Sequence, residues 1–319
     1  MSLVNLHRIN DYLSPDVMND MPLVSVGIPT YNRPDGLRNC LDAIIKQTYR
    51  NLEIIVSDNA TPNDRTENVV REFTQIDSRV KYFRQNENKG AIYNFQFVLD
   101  KSTGDYFMWA ADDDYRAPTY VESLLGELLR CPDCSIAFCD FWAADAEGVK
   151  VESYPDFFPF LEKFTCIYKP LRLLRFFFQR ETNGKANIIY GLIRRECLKD
   201  FTWGEFLRRY GRYGSDMLLV FSLLCNGRLA LTKQSLYRST TGNKKEYTES
   251  GANSVMNKVS EMLKSFFSEV RYSVGYLQIA PGLSGILLLL CWPIKFLDIS
   301  FRFFRNGLRV FYSKVVGSF

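Results

Sequence analysis

Between residues 22 and about 120, short apolar runs alternate with stretches in which apolar side chains recur every three or four positions. Leu23-Val-Ser-Val-Gly-Ile28 and Leu52-Glu-Ile-Ile-Val-Ser-Asp58 read as buried strands, followed by the shorter Val80-Lys-Tyr-Phe83 and by Tyr106-Phe-Met-Trp-Ala-Ala111. After the first run, Pro34 can open a helix, and Leu37, Cys40, Leu41, Ile44 and Ile45 follow at helical spacing. Further helices are expected over 65–75, over 91–99 and from Pro118. Strands alternating with helices predict right-handed crossovers and a mainly parallel, Rossmann-like sheet flanked by helices. In such a sheet ligands bind where strands end. Pro29-Thr-Tyr, Asp58-Asn and Asp112-Asp-Asp all occupy strand ends.

Beyond residue 140 the periodicity blurs. Phe157-Phe-Pro-Phe and Leu173-Leu-Arg-Phe-Phe-Phe suit either sugar stacking or core packing. Ala186-Asn-Ile-Ile-Tyr-Gly-Leu-Ile193 reads as a strand returning to the sheet, and a helix begins near Ser215 and Asp216. From about Val255 the composition changes. Residues 273–294 carry no charge and are numerous enough to span a bilayer, but Pro281, Gly282, Gly285 and Pro293 interrupt them. Residues 295–314 interleave aromatic and aliphatic positions with Arg and Lys, the composition of a basic amphipathic helix in an anionic interface. A monotopic or re-entrant anchor is expected, with a true span and a soluble interface helix as alternatives. The chain thus divides into a polar lead-in (1–21), a first half (22–140), a second half of the same domain (141–245) and a helical membrane-associating region (246–319).

Composition narrows the chemistry. The 319 residues carry a formal net charge of +4, which gives no global case for nucleic acid. The one histidine, His7, lies in the lead-in, so a Ser-His-Asp triad or a histidine-rich metal site is not expected. Cys131-Pro-Asp-Cys134 has CxxC spacing but no second pair or nearby histidine, so the eight cysteines read as reduced bystanders. Reduced thiols, and a first twenty residues without an apolar signal-peptide core, lead to a cytoplasmic expectation. No GxGxxG or GxxxxGK[ST] loop follows the first strand, so phosphate must be held otherwise. Three consecutive carboxylates at the end of a buried strand repel one another unless a cation neutralises them. Oxygen-only ligands point to Mg²⁺ or Mn²⁺. The plainer alternative is a solvated acidic loop before the next helix.

Val24-Ser-Val-Gly-Ile-Pro-Thr-Tyr-Asn-Arg33, Ile54-Ile-Val-Ser-Asp-Asn59, Asn88-Lys-Gly90 with Asn94, and Gly104-Asp-Tyr-Phe with the aspartates form an ordered set that resembles glycosyltransferase family 2 over roughly residues 22–245. The resemblance implies a GT-A fold and inverting transfer from a nucleotide-sugar donor, UDP-linked by default. It implies that Thr30, Tyr31 and Asp58 hold the nucleoside, with Pro29, Arg33, Asn88, Gly90, Asp113 and Arg238 also on the donor side. Asp112 and Asp114 resemble the ends of the DxD motif, Asp114 on the metal and Asp112 on ribose or metal. Asp216 matches the second acid of the family's Glu-Asp pair and is the expected general base. Ser215 stands where the first acid is usual, and Asp140 and Glu205 are weaker candidates. The segment 240–245 resembles a loop that closes over the diphosphate, or is a solvated linker. An anchor implies a membrane-bound acceptor, in bacterial relatives a polyprenyl-diphosphate-linked oligosaccharide of surface polysaccharide (O-antigen or capsule) synthesis. A sugar-phosphate nucleotidyltransferase and a silent membrane-associated binding module are the rivals.

Overall fold

The computed structural model describes residues 21–145, 148–153, 157–165, 167–180, 184–240 and 255–315. The lead-in and residues 241–254 lie outside these, and with them His7 and most of the expected closing loop.

Nine strands form one sheet in the order β3-β2-β1-β4-β8-β6-β9-β5, with β7 paired to β6. β1 (Val24–Thr30), β2 (Leu52–Asp58), β3 (Val80–Arg84) and β4 (Tyr106–Trp109) are parallel, as the alternating pattern predicts. Helices cover the faces of β1 and β2, so every residue of both strands is buried; hence the near-continuous apolar runs. α1 (Pro34–Ile45) starts on Pro34 and buries Leu37, Cys40, Leu41 and Ile44, one face of a 3.6-residue period. α2 (Arg65–Ile76) and α3 (Ala91–Asp100) complete the crossovers. Glu53 ties the early strands together at their N-terminal end. Its Oε1 accepts from Ser25 Oγ (2.6 Å) and the Thr103 amide (2.5 Å), and its Oε2 from Lys81 (3.0 Å). Burial by itself would raise this carboxyl, but those hydrogen bonds outweigh it and hold it down at about 2.

The second half completes the same sheet. After β5 (Tyr115–Arg116) and α4 (Tyr120–Arg130) comes β6 (Cys134–Ala144), an eleven-residue strand that runs through the 140/141 position. β7 (Lys150–Ser153) follows, then α5 (Phe157–Glu162) and α6 (Lys169–Phe178). The strand expected over 186–193 is mostly absent: Lys185–Tyr190 is a 3-10 turn, and only β8 (Leu192–Arg194) joins the sheet, antiparallel to β4. α7 (Trp203–Tyr210), α8 (Ser215–Asn226) and β9 (Arg228–Thr240) close the domain. Most of the described phenylalanines of the two clusters are core, with Phe178 exposed. Phe141 meets Phe157 edge-on at 4.6 Å, and Phe176 and Phe177 pack on Tyr276; Phe157, Phe176 and Phe177 are fully buried.

Two departures concern ends of elements. Cys131 and Cys134 are bonded to each other, against the expectation of free thiols. The end of α4 and the start of β6 bring their Cα atoms to 5.4 Å, within disulfide reach, which removes one ground for a reducing compartment. The uncharged stretch 273–294 is not one segment. α9 (Val255–Ile279) ends before Pro281, and α10 (Gly282–Val315) starts at Gly282, so the two form a hairpin. Among the described residues, the helix long and apolar enough to cross a membrane, by length and composition, is Gly282–Leu308.

Candidate active site

The ends of β1, β2 and β4 meet on one rim. A cavity of about 330 Å³ opens there, walled by Pro29, Arg33 and Asp112–Asp114 from the first half. Asn187, Tyr190, Ser239 and Thr240 close it from the second. α1 presses on the aspartate loop: a Cβ on Gly36 would stand 2.8 Å from the Asp112 carbonyl oxygen, so only glycine fits.

Each aspartate is held differently. Asp112 Oδ2 accepts from the buried Thr30 hydroxyl (2.7 Å), and Arg33 reaches both Asp112 (3.4 Å) and Asp113 (2.6 Å). Asp114 accepts from the Tyr237 hydroxyl and from the Thr240 amide (2.8 Å). Behind it, Arg116 is fully buried between the rings of Tyr120 and Tyr237, with Nε and Nη1 unpartnered. Burial pushes both Asp112 and Asp114 up to about 6. The Thr30 hydroxyl and Arg33 draw Asp112 back, and Arg116 and Tyr237 draw Asp114 back. This charge stress sets the cluster apart from a solvated acidic loop. The three carboxylates are not a closed cage. Among the described residues, the set of three ligand atoms within 4.8 Å of one another is Cys131, Asp133 and Cys134, whose sulfurs are bonded to each other. An ion held by one or two carboxylates, with its other oxygens from water and donor phosphates, is the arrangement Mg²⁺ prefers.

Asp58, expected to hold the nucleoside, is fully buried at the end of β2. It accepts from the Thr61 amide (3.0 Å), the Thr61 hydroxyl (2.6 Å) and the Tyr82 hydroxyl (3.0 Å), three donors on a group that takes about four. Tyr31 stands at the end of β1, 42% exposed, next to Asn32, whose φ of 54° turns the chain. Asn59 binds Asn88 (2.8 Å) and the Lys89 amide (3.0 Å), and Asn88 takes the Gly90 amide (2.9 Å), so the 88–90 loop hangs from β2. Asn94, from α3, donates to the Thr30 and Ser57 carbonyls and pins these two strand ends together. Arg238 is not brought into the cavity. It pairs in register with Tyr115 and lies between the rings of Tyr115 and Trp142, while its neighbours Ser239 and Thr240 form the wall.

Asp216 sits in the first turn of α8, largely buried, and accepts from the Met217 amide (2.8 Å). Burial raises its carboxyl; hydrogen bonds of its own turn and the charge of Lys185 oppose that. Tyr190 bridges the two halves: burial raises its hydroxyl first, and the charges of Asp114, Asp113 and Asp216 all raise it further. Glu205 is remote, paired with Arg208 on the exposed face of α7, and Asp140 lies on β6, bound to the Phe141 amide. Asn187, Tyr190 and Tyr237 were beyond sequence reasoning. They come from a 3-10 turn and a late strand, and only the fold brings them to the aspartates.

The carboxylate cluster stands at the strand ends of a mainly parallel sheet, where ligands bind in α/β folds. Glycosyl transferase family 2 matches residues 25–200, more than half of the chain, and the chain belongs to that family. Among curated relatives, glycosyltransferase GlyA of Streptococcus pneumoniae is 35% identical over 106 residues, 33% of this chain and 15% of its own length. A Campylobacter jejuni GalNAc(5)-diNAcBac-PP-undecaprenol beta-1,3-glucosyltransferase is 39% identical over 95 residues, 30% of each chain. The match thus spans less than a third of either relative's length. Staphylococcus aureus TarS 1–349, solved in complex with UDP, aligns over 89% of this chain and 92% of its own with a TM-score of 0.57 at 14% identity, a likeness of fold. The GT-A architecture expected from the sequence is the one observed.

Proposed function

We propose that this enzyme moves one sugar, with inversion, from a nucleoside-diphosphate donor to a hydroxyl of a glycan carried on a polyprenyl diphosphate. UDP-sugars are the default donors, and the setting is assembly of bacterial surface polysaccharide (O-antigen or capsule) at the cytoplasmic face of the cell membrane. The observation that carries this reading is the buried Asp112–Asp114 cluster at the strand ends, in a cavity that Asn187, Tyr190, Ser239 and Thr240 close from the second half. The acceptor hydroxyl loses its proton to the Asp216 carboxylate, the acceptor oxygen bonds to the anomeric carbon, and the bond from that carbon to the diphosphate oxygen breaks. A base with a raised carboxyl suits this task near neutrality.

The donor set fits a divalent ion. Asp114 and Asp112, both pushed to about 6 by burial, gain from an added cation. Mg²⁺ or Mn²⁺ there, when bound, neutralises charge growing on the leaving diphosphate. In this reading Thr30, Tyr31, Asp58 and the 88–90 loop hold the nucleoside, and Arg33, already in the cavity wall, supplies a guanidinium to the phosphate side.

The membrane part of the proposal rests on α10. Leu283, Ile286, Leu290, Ile294, Leu297, Phe301, Phe304 and Leu308 are all exposed and recur at steps of three and four, one continuous stripe. The opposite face, with Ser284, Leu288, Lys295 and Ile299, is buried. Arg302 on that side pairs with Glu269 of α9 and with Asp298 (3.1 Å). A helix clamped along one side and apolar along the other suits lying in the interface better than crossing. The acceptor class is the one printed in the name of the Campylobacter relative.

The test is nucleotide release from UDP-, dTDP-, GDP- and CDP-sugars with Mn²⁺ and a membrane extract, with proton NMR of the anomeric centre in the product. One productive nucleotide and an inverted centre support the proposal. Release of inorganic pyrophosphate from a sugar 1-phosphate and a nucleoside triphosphate would instead establish nucleotidyl transfer.

A further inference from the structure

A second cleft, of about 720 Å³, lies outside the aspartate cavity and is used by nothing above. Lys89, Arg208, Arg212 and Arg271 line it, with Tyr93 and Trp203, and no carboxylate is among its lining residues. Glu87 and Glu205 approach Lys89 (3.9 Å) and Arg208 (3.7 Å) from the rim, exposed pairs of the kind that contribute little. The Arg212 carbonyl accepts from the Ser215 amide (3.3 Å) while its exposed side chain reaches the cleft, and the buried Trp203 Nε1 has no hydrogen-bond partner among the described residues. The Arg271 guanidinium lies against Gly211, where an added Cβ would stand 3.3 Å from its Nε. It also donates to the Arg208 carbonyl (3.3 Å). All four cations are exposed, so water and salt screen their mutual repulsion, and no carboxylate lines the cleft to compete for them. A concavity lined by cations alone attracts an anion, and guanidinium forks match phosphate oxygens.

The cleft's three walls give its direction. Lys89 belongs to the loop hung from β2 beside the donor site, Arg212 precedes Asp216 by four residues, and Arg271 sits on α9, the partner of the apolar α10. It therefore lies between the loop beside the aspartate cavity, the segment that leads into α8, and the α9–α10 hairpin. We propose that this cleft holds the phosphate groups of the acceptor, so that a prenyl diphosphate leaves its chain toward α10 and presents its glycan to Asp216. Tyr93, 37% exposed, offers ring surface to the prenyl or sugar portion. This rests on the glycosyl-transfer reading for its acceptor, and the donor arm of the experiment separates the two.

The experiment is calorimetric binding of geranyl diphosphate, with geraniol as the uncharged arm, to the full chain and to Arg212→Gln, Arg271→Gln and the double variant. UDP with Mn²⁺ is titrated into the same samples, and adsorption to phosphatidylcholine–phosphatidylglycerol vesicles is measured alongside. The expected result is that geranyl diphosphate binds and geraniol does not. Each arginine lost weakens the diphosphate about tenfold, one charge-assisted contact, with UDP affinity unchanged. Unchanged diphosphate affinity in the double variant overturns the proposal. So does displacement of geranyl diphosphate by UDP, which assigns it to the donor site. Vesicle adsorption that falls in the double variant while geranyl diphosphate binding holds also overturns it, since the cations then read bilayer headgroups. If UDP fails to bind the wild type but geranyl diphosphate remains arginine-dependent, the cleft stands and the donor reading fails.

Discussion

The two halves of the rim hold their carboxylates in opposite ways. On the donor side every key oxygen is already engaged: Asp58 by Thr61 and Tyr82, Asp112 by Thr30 and Arg33, Asp114 by Tyr237 and the Thr240 amide. Asp216, the proposed base, takes instead a hydrogen bond from the Met217 amide of its own first turn, and burial raises its carboxyl. A group that must bind a diphosphate and its ion in one fixed place is immobilised in advance. A group that must accept a proton is kept raised.

The sharpest way to break this contrast is Asp216→Asn. It should lower the transfer rate about a thousandfold, within the range of a lost general base, while UDP affinity stays as in the wild type. Because burial raises this carboxyl and the base works deprotonated, kcat/KM at saturating metal should fall on the acid side at a pH above the ordinary carboxylate range, and that limb should vanish in the asparagine variant. Asp114→Asn should act on the other half. Metal-dependent UDP affinity drops about a hundredfold or more, with the protein folded, as equilibrium dialysis with Mn²⁺ would register.

Two further variants sharpen the contrast away from the chemistry. Glu53→Gln should cost about 2 kcal/mol in urea unfolding, since it swaps a carboxylate for an amide among Ser25, Thr103 and Lys81. Its native carboxyl is depressed, so the wild-type contribution is complete above about 4.5 and fades as pH falls toward about 2, a dependence the variant lacks. Leu290→Asp with Leu297→Asp, on the exposed stripe of α10, should reduce adsorption to anionic vesicles about tenfold and leave UDP affinity untouched.

The first half was legible because its physics is local. Buried parallel strands are continuous apolar runs, and α1 announces itself through Pro34 and the Leu37–Leu41–Ile44 face. The aspartates were legible because three adjacent charges after Trp109 have few explanations. What holds them was not: Tyr237 and Thr240 lie more than 120 residues from Asp114. Residues 186–193 look like a strand by composition, yet they coil into a 3-10 turn that delivers Asn187 and Tyr190 to the cavity. Tertiary demand overrode local propensity there. The C-terminal break at Pro281 and Gly282 was visible, but not that α9 and α10 pack as a hairpin.

The central claim is that metal and nucleotide belong to Asp114 and the reaction to Asp216. Calorimetry of UDP with Mn²⁺ and with EDTA, on the wild type, Asp114→Asn and Asp216→Asn, tests it most directly. The account predicts metal-dependent binding in the wild type and Asp216→Asn and its loss in Asp114→Asn. Equal binding by all three proteins, or loss in both variants alike, would contradict it.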